Sequence, residues 1–522
     1  MSVPFGGPPA TGGTVHLVGG GPGDPGLLGL RAAQLLATAT VVAYDRLAPP
    51  EALTLCPEAC ARVYVGKLPD RHALSQEEIN ALLVERALAG EAVVRLKGGD
   101  PFVLGRGSEE AAACVAAGVP FEVVPAVTAG VAVPAYAGIP VTHRGVAPAF
   151  AVVTGHEDPT KPDTQVDYDA LAAFPGTLLL YMGVGRLPEI AAALVAAGKP
   201  ASTPVAVVRW GTTPRQETLT GTLDDIATRV AATGFANPAI IVVGDVVALR
   251  DQIGWFEPEQ APWVRARRPL HGVSVLVPRT RHQASELSGR LRALGAEPVE
   301  APTITIEPTR DPERLRACLA RVAAGAWDWL ALTSANGVAG LWEQVEALGL
   351  DARLFAGVRI AAVGPGTADA LAGRGLRADV VPDRFTTRGL ADALVAGHQP
   401  ARILLARADL ATPALTEALD AAGWDTTEVE AYRTAPAAGL PLPVRERLAA
   451  GDIDVAAFAS SSTVRNFVAL VGGEVAPALR VASIGPVTSA TCRELGLRVD
   501  AEADPHDLDG LVAAVVAAAT SR

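Results

Sequence analysis

Lysine is almost missing from this chain of 522 residues. Only Lys67, Lys97, Lys161 and Lys199 occur, all in the first half, and arginine supplies the other basic groups. With 44 basic against 56 acidic side chains the net charge is −12, which excludes a general affinity for nucleic acid, since that needs a basic surface. No run of eighteen apolar residues occurs, which argues against a membrane-spanning helix. The cysteines (Cys56, Cys60, Cys114, Cys318, Cys492) are few and scattered, and no second pair follows Cys56 and Cys60 at metal-site spacing. Free buried thiols and no metal are expected. Residues 1–13 lack the basic and apolar regions of a secretory signal and read as a disordered leader. The expected location is cytoplasmic.

What is abundant is apolar residues, 49% against 19% charged, ample for the cores of three or four domains. The most informative stretch is residues 95–110, RLKGGDPFVLGRGSEE, between a buried strand at 92–94 and an alanine-rich helix at 111–117. Gly98-Gly99 let backbone approach a ligand without a Cβ in the way. Asp100 can accept hydrogen bonds from a ribose hydroxyl or a ligand amine. Upstream, a strand at 15–18 runs into GGGPGDPGLLGL, where Gly21-x-Gly23-x-x-Gly26 fits the dinucleotide fingerprint, with Asp45 24 residues beyond Gly21 after a strand at 40–44. Pro22 and Pro25 remove backbone donors that a pyrophosphate would need, so NAD is not expected. A helix is expected over 27–37. Asp45 at a strand end and Lys67 in a loop stand where active-site groups project, although a turn carboxylate and a solvated lysine fit the same positions.

Taken together, GPGDP, Tyr44-Asp45-Arg46-Leu47, Gly66-Lys67, residues 76–80 (QEEIN), residues 95–110, VVPAVTAG and AGIPVTHR resemble the tetrapyrrole methyltransferases that use S-adenosylmethionine, in particular the uroporphyrinogen-III C-methyltransferases. Ala126 and Leu104 replace that family's usual glycine and phenylalanine. The resemblance spans 14–256 and implies a two-lobed α/β methyltransferase fold. It places Pro22, Gly98, Gly99, Asp100 and Val103 beside the methyl donor. Thr128, Ala129, Met182 and Gly211 join them there, Met182 against the adenine. It makes Asp45 a proton acceptor and Lys67 a proton donor, and assigns Arg95, Arg106, His143 and Arg144 to the tetrapyrrole. Such enzymes are typically homodimers.

Residues 257–271, with three prolines and three arginines among 257–270, read as a linker. Beyond them lies an internal repeat. VSVLVPRT (273–280) parallels RILLARAD (402–409), and Gly295 parallels Gly423 at an offset of 128. WLALTSAN (329–336) parallels DVAAFASS (454–461), and Gly364-Pro365 parallels Gly485-Pro486 at an offset of 121. Two similar α/β lobes follow, each built on a parallel sheet. Ser334, Ser461, Thr367 and Thr488 stand at strand-to-helix junctions, where hydroxyls and helix N-termini form an anion-binding rim, or simply cap helices.

This half, 272–522, resembles uroporphyrinogen-III synthase, with lobe one over about 272–306 plus 435–522 and lobe two over about 307–434. Tyr432 in EAYRT matches that family's interlobe tyrosine. The fusion implies cyclisation of hydroxymethylbilane to uroporphyrinogen III with inversion of the last ring. Double methylation to precorrin-2, feeding sirohaem or cobalamin, would follow. The alternatives are a non-catalytic tetrapyrrole-binding second half, or a precorrin methyltransferase acting at another ring carbon. No nucleic acid or membrane is expected as a partner.

Overall fold

A computed structural model describes residues 10–57, 59–66, 74–159, 164–257, 262–278, 281–409, 411–472 and 478–520. Among the described residues there are four five-stranded sheets, two in each half.

The first sheet holds β1 (Thr14–Gly19), β2 (Val41–Tyr44), β3 (Ala61–Tyr64), β4 (Ala92–Lys97) and β5 (Phe121–Val124) in the order β3-β2-β4-β1-β5. All pairings are parallel. β4 is buried along its whole length, so it reads as a continuous apolar run broken only by Arg95 and Lys97. The chain turns back between β1 and β4, so their carboxyl ends, Gly19–Gly23 and Gly98–Asp100, open at a switch point where α/β sheets bind ligands. The helix Gln76–Leu88 starts on a reciprocal capping box, Ser75 Oγ accepting from Glu78 N (3.2 Å) and Glu78 Oε2 from Ser75 N (2.6 Å).

The second sheet contains β6 (Phe150–Thr154), β7 (Thr177–Tyr181), β8 (Pro204–Arg209), β9 (Glu217–Thr222) and β10 (Ala239–Val243) in the order β6-β7-β10-β8-β9. It is mixed, parallel only between β6 and β7. The helix Ala129–Tyr136 connects the lobes.

In the second half, β11 (Ser274–Val277) and β12 (Glu297–Glu300) share a parallel sheet with the strands β18 (Val455–Phe458), β19 (Arg480–Ser483) and β20 (Ala501–Glu502). The intervening chain builds the other lobe from β13 (Ile304–Pro308), β14 (Trp329–Leu332), β15 (Arg359–Ala362), β16 (Arg402–Ala408) and β17 (Asp425–Pro436). The sheet orders β12-β11-β18-β19 and β17-β16-β14-β15 superpose strand for strand. The repeat is therefore structural, with β11 matching β16 and β14 matching β18. Lobe two is not purely parallel, because β13 runs antiparallel to β17 along its edge. Ile304 and Pro436 pair within that sheet, so the chain crosses between lobes a few residues outside the expected 306 and 435.

Three other expectations change. The helix expected over 27–37 is a short 3-10 turn, Pro25–Leu27, followed by a helix over Leu30–Leu36, because the Asp24 carboxylate takes the Gly26 amide (2.7 Å) and holds the turn. Of the expected leader, residues 1–9 lie outside the described residues, and residues 10–13 are tied down through Ala10 N to Thr38 Oγ1 (2.8 Å) and Gly13 N to Glu91 O (2.9 Å). The segment 257–271 is not a simple linker. Glu257 is buried between Arg250, Gln216 and Thr218, and a helix, Pro262–Arg267, leads to Leu270 in the core of lobe one. Among the described residues no helix is long and apolar enough to cross a membrane, and no group of His, Cys, Asp and Glu is arranged to hold a metal. None of the five cysteines forms a disulfide, and all are buried.

Candidate active sites

In the first half two backbone hydrogen bonds tie the turns at the switch point to each other. Gly99 N donates to Gly21 O (2.7 Å) and Gly21 N to Gly99 O (3.3 Å), so the β1 and β4 turns are stitched together. Gly21 and Gly99 have φ of 80° and 66°, where a side chain would be strained. A Cβ at Gly98 would stand 2.5 Å from Leu47 O, so the close approach of the Asp45 loop itself requires glycine. Asp100 Oδ1 accepts from Phe102 N (2.8 Å) and Oδ2 from Ala126 N (3.0 Å), which joins the β4 and β5 turns. Each oxygen keeps a lone pair for a ligand. Pro22 and Val103 are half-buried on the two adjoining loops.

The second lobe meets this rim through a few polar contacts. Thr128 Oγ1 lies 2.6 Å from Tyr181 Oη, which also accepts from Gly130 N. Tyr136 Oη donates to Asp24 Oδ2 (2.7 Å), and Asp24 N donates to Thr212 Oγ1 (3.0 Å). Burial raises the Tyr181 hydroxyl pKa, so it stays protonated at neutral pH. Among the described residues the non-glycine positions with positive φ are Leu104, Arg106, Met182, Trp210 and Thr212. Two lie on the loop after β4, and three at the ends of β7 and β8. Such backbone persists only where its surroundings over-determine it, and it clusters at ligand sites. The surroundings here are visible. Thr212 N donates to Gln216 Oε1 (2.8 Å), Gln216 Nε2 to Glu257 Oε1 (2.7 Å), and Glu257 pairs with the buried Arg250, which reaches Ala137 O. Met182 is nonetheless 45% exposed, and it borders a polar cavity of about 590 Å³ with His156, Glu157 and Asn237. Gly211 is buried against Val133 of the lobe-connecting helix.

Asp45 ends β2 with a quarter of its side chain open. Its Oδ1 accepts from Leu47 N (3.0 Å) and its Oδ2 from Arg95 Nη2 (3.0 Å). Arg95, expected to bind substrate, is 4% exposed and holds Asp45, Glu110 and the Leu96 carbonyl at once, so its guanidinium has nothing left to offer a ligand. Its place is behind Asp45. Lys67 lies outside the described residues. Arg106 is exposed and forked onto Glu109 (2.8–2.9 Å). His143 and Arg144 are exposed on a tight turn closed by His143 N to Ala147 O (2.9 Å).

In the second half Ser334 Oγ caps the helix Ala335–Ala347 by accepting from Gly337 N (3.0 Å), and it donates to Tyr432 Oη (3.0 Å). That bond joins the β14 end to the interlobe strand β17. The counterpart of Ser334 is Ser460, which caps the helix Ser461–Leu470 through Thr463 N (3.3 Å). Ser461 sits one residue further on, its hydroxyl donating to Val487 O (3.2 Å) and so clasping two adjacent turns. Thr367 and Thr488 are 5% and 4% exposed. Their side chains turn into the core, contrary to the rim role expected of them, because the third residue of each helix faces the sheet. Pro365 and Gly366, and Pro486 and Val487, are the exposed positions of those turns.

Asp24, Glu110, Tyr136, Tyr181, Glu257 and Ser460 were missed from sequence. Glu110 alone carries a signal: it is the acid on the buried face shared by Ala111 and Cys114.

Comparison with known proteins identifies both halves as parts of a fused tetrapyrrole-biosynthesis enzyme. Residues 14–227 match the tetrapyrrole (corrin/porphyrin) methylases, and residues 285–513 match uroporphyrinogen-III synthase HemD. The porphyrin biosynthesis protein HemD of Ruminiclostridium josui is 35% identical over 487 residues, covering 93% of this chain and 94% of that protein. An S-adenosyl-L-methionine-dependent uroporphyrinogen III methyltransferase of Methanosarcina barkeri is 49% identical over 46% of this chain and 95% of its own length. The uroporphyrinogen-III C-methyltransferase of Bacillus subtilis is 46% identical over 56% of this chain, which spans only 58% of that relative. The chain belongs to the family of the Ruminiclostridium protein, and in it a tetrapyrrole methylase half is followed by a uroporphyrinogen-III synthase half.

Proposed function

We propose that the second half closes hydroxymethylbilane to uroporphyrinogen III, and that the first half then methylates this product twice to precorrin-2. In domain terms the methyltransferase occupies 14–257 and the synthase begins with the helix Pro262–Arg267. The observation that carries the reading is Asp45, a quarter open at the end of β2 and held in one orientation by the buried Arg95.

The glycine-lined turns at 98–99, the strained rim and the start of the helix at Ala129 suit S-adenosylmethionine, held by Asp100, Thr128, Met182 and Gly211. Bound there, it supplies an activated methyl group. The chain's own residues need not supply a nucleophile, because the electron-rich pyrrole carbon attacks. Asp45 takes the proton displaced from the ring system, its free lone pairs facing the cleft while Arg95 fixes its orientation. Arg106, His143 and Arg144, exposed on loops, pair with the substrate's carboxylates. In the synthase half, Tyr432 and Ser334 form a hydroxyl pair at the interlobe strand that helps the substrate's own hydroxyl leave, and the turns at Ser460–Ser461 and Val487 orient its carboxylates.

Phe150 and Val152, exposed on edge strand β6, support a homodimer through the first half, and five cysteines outside any disulfide suit the cytoplasm. Uroporphyrinogen III with labelled S-adenosylmethionine tests the first activity, and Asp45→Asn should slow label transfer by about a hundred-fold or more, leaving a measurable residual rate, while ring closure continues. A variant that loses both activities, or neither, contradicts this division of labour.

A further inference from the structure

Behind Asp45 lies a cluster of charges that the methyl transfer just described does not use. Glu110, on the helix Gly107–Ala116, is 1% exposed. Its Oε1 accepts from Arg95 Nε (3.0 Å) and Lys97 Nζ (3.0 Å), with Gln76 Nε2 at 3.4 Å, while its Oε2 is buried without a partner. Lys97 is 5% exposed on β4, and burial, followed by the neighbouring Arg95, lowers its pKa. Three donors converge on one oxygen of a carboxylate that has given up its water. Burying such a group is costly, and a scaffold needing only a filled core would place an apolar side chain there.

The geometry suggests what the cluster does. Arg95 forks, with Nε on Glu110, Nη1 on the Leu96 carbonyl (2.9 Å) and Nη2 on Asp45. A guanidinium is planar and rigid, so fixing two of its edges fixes the direction of the third. We propose that Glu110 is a positioning residue for methyl transfer: with Lys97 it anchors Arg95 so that the guanidinium aims the Asp45 carboxylate into the cleft. This rests on the reading of Asp45 as proton acceptor. Groups facing the cluster are Asp45 from β2, Arg95 and Lys97 from β4, Glu110 from its helix, and Gln76 and Asn80 from the helix Gln76–Leu88.

The test is a double-mutant cycle in the full chain, assayed with uroporphyrinogen III and labelled S-adenosylmethionine. Glu110→Gln keeps the shape and frees Arg95. It should lower kcat by about ten-fold or more, with KM for S-adenosylmethionine unchanged within about two-fold. In the Asp45→Asn background the same change should have no further effect on the residual rate. Glu110→Asp keeps the charge with a shorter reach, and should show a smaller loss that also vanishes without Asp45. It carries the test if Glu110→Gln fails to fold. An equal loss in both backgrounds, or an unaltered kcat in Glu110→Gln, overturns the proposal. Full activity of Asp45→Asn on its own would instead sink the proton-acceptor reading beneath it.

Discussion

Gly211 lies at the end of β8, and a Cβ there would meet three atoms of Val133, with Cγ2 at 2.5 Å and Cβ at 2.8 Å in addition to Cγ1. Val133 is 4% exposed within the helix Ala129–Tyr136, which carries Ala129 at its start and at its end Tyr136, bonded to Asp24. Gly211→Ala must therefore push that helix away from β8. Overpacking a close-packed core by one methyl costs about 1–3 kcal/mol. Because the displaced helix borders the donor cleft, the same push reaches Thr128 and the Asp24 loop. The variant should bind S-adenosylhomocysteine about ten-fold more weakly, and the first half should melt a few degrees lower, at roughly 2–4 °C per kcal/mol. Calorimetric titration and differential scanning calorimetry read both quantities. Val133→Ala removes the two obstructing methyls but keeps the Cβ at 2.8 Å, so the double variant should regain part of the lost affinity. The reasoning is refuted if Gly211→Ala binds as tightly as the parent, or if the double variant is no better than the single one.

Tyr432→Phe removes the hydroxyl that accepts from Ser334, and should slow enzymatic formation of the type III isomer about ten-fold while leaving methyl transfer unchanged; isomer analysis by chromatography decides. Glu297 pairs with Arg447 (2.8 Å) in lobe one and with Arg215 (3.0 Å), whose guanidinium stacks on Trp210 in the first half. Glu297→Ala should destabilise the junction by about 1–2 kcal/mol, seen as a lower melting temperature. The pKa of buried His16 is lowered, chiefly by burial, so it folds neutral while the unfolded chain protonates near its ordinary 6.5. Its stabilising share is complete above that pH and falls as pH drops through it, by at most about 1.4 kcal/mol per pH unit. His16→Gln should flatten the loss of melting temperature between pH 7 and 5.5; an unchanged slope contradicts the assignment.

Sequence exposed the parts of the cleft that backbone geometry dictates. Gly98, Gly99 and Asp100 stand at a strand end because close approach and positive φ leave little choice of residue, and such constraints are written in the residue type. The repeat was legible for a similar reason: buried parallel strands demand runs such as WLAL and VAAF, and the following turn demands a cap. What was misjudged depends on rotation about a helix axis or on partners distant in sequence. Thr367 and Thr488 occupy helix turns whose direction relative to the sheet no local pattern reveals. The run of three serines, Ser460 to Ser462, conceals which one caps the helix. Arg95 looked like a substrate ligand, since nothing nearby in sequence announces that Asp45, 50 residues earlier, has already claimed it. Glu257 looked like the start of a linker, although its partners are 7 to 41 residues upstream.

The most direct test of the whole account gives the purified chain hydroxymethylbilane, with and without S-adenosylmethionine, and identifies the products by mass and isomer. Two linked activities predict uroporphyrinogen III without the donor, and a type III product two methyl groups heavier with it. Type I isomer alone, methylated or not, would mean that the ring had closed without the enzyme, and that the second half binds tetrapyrroles rather than making them.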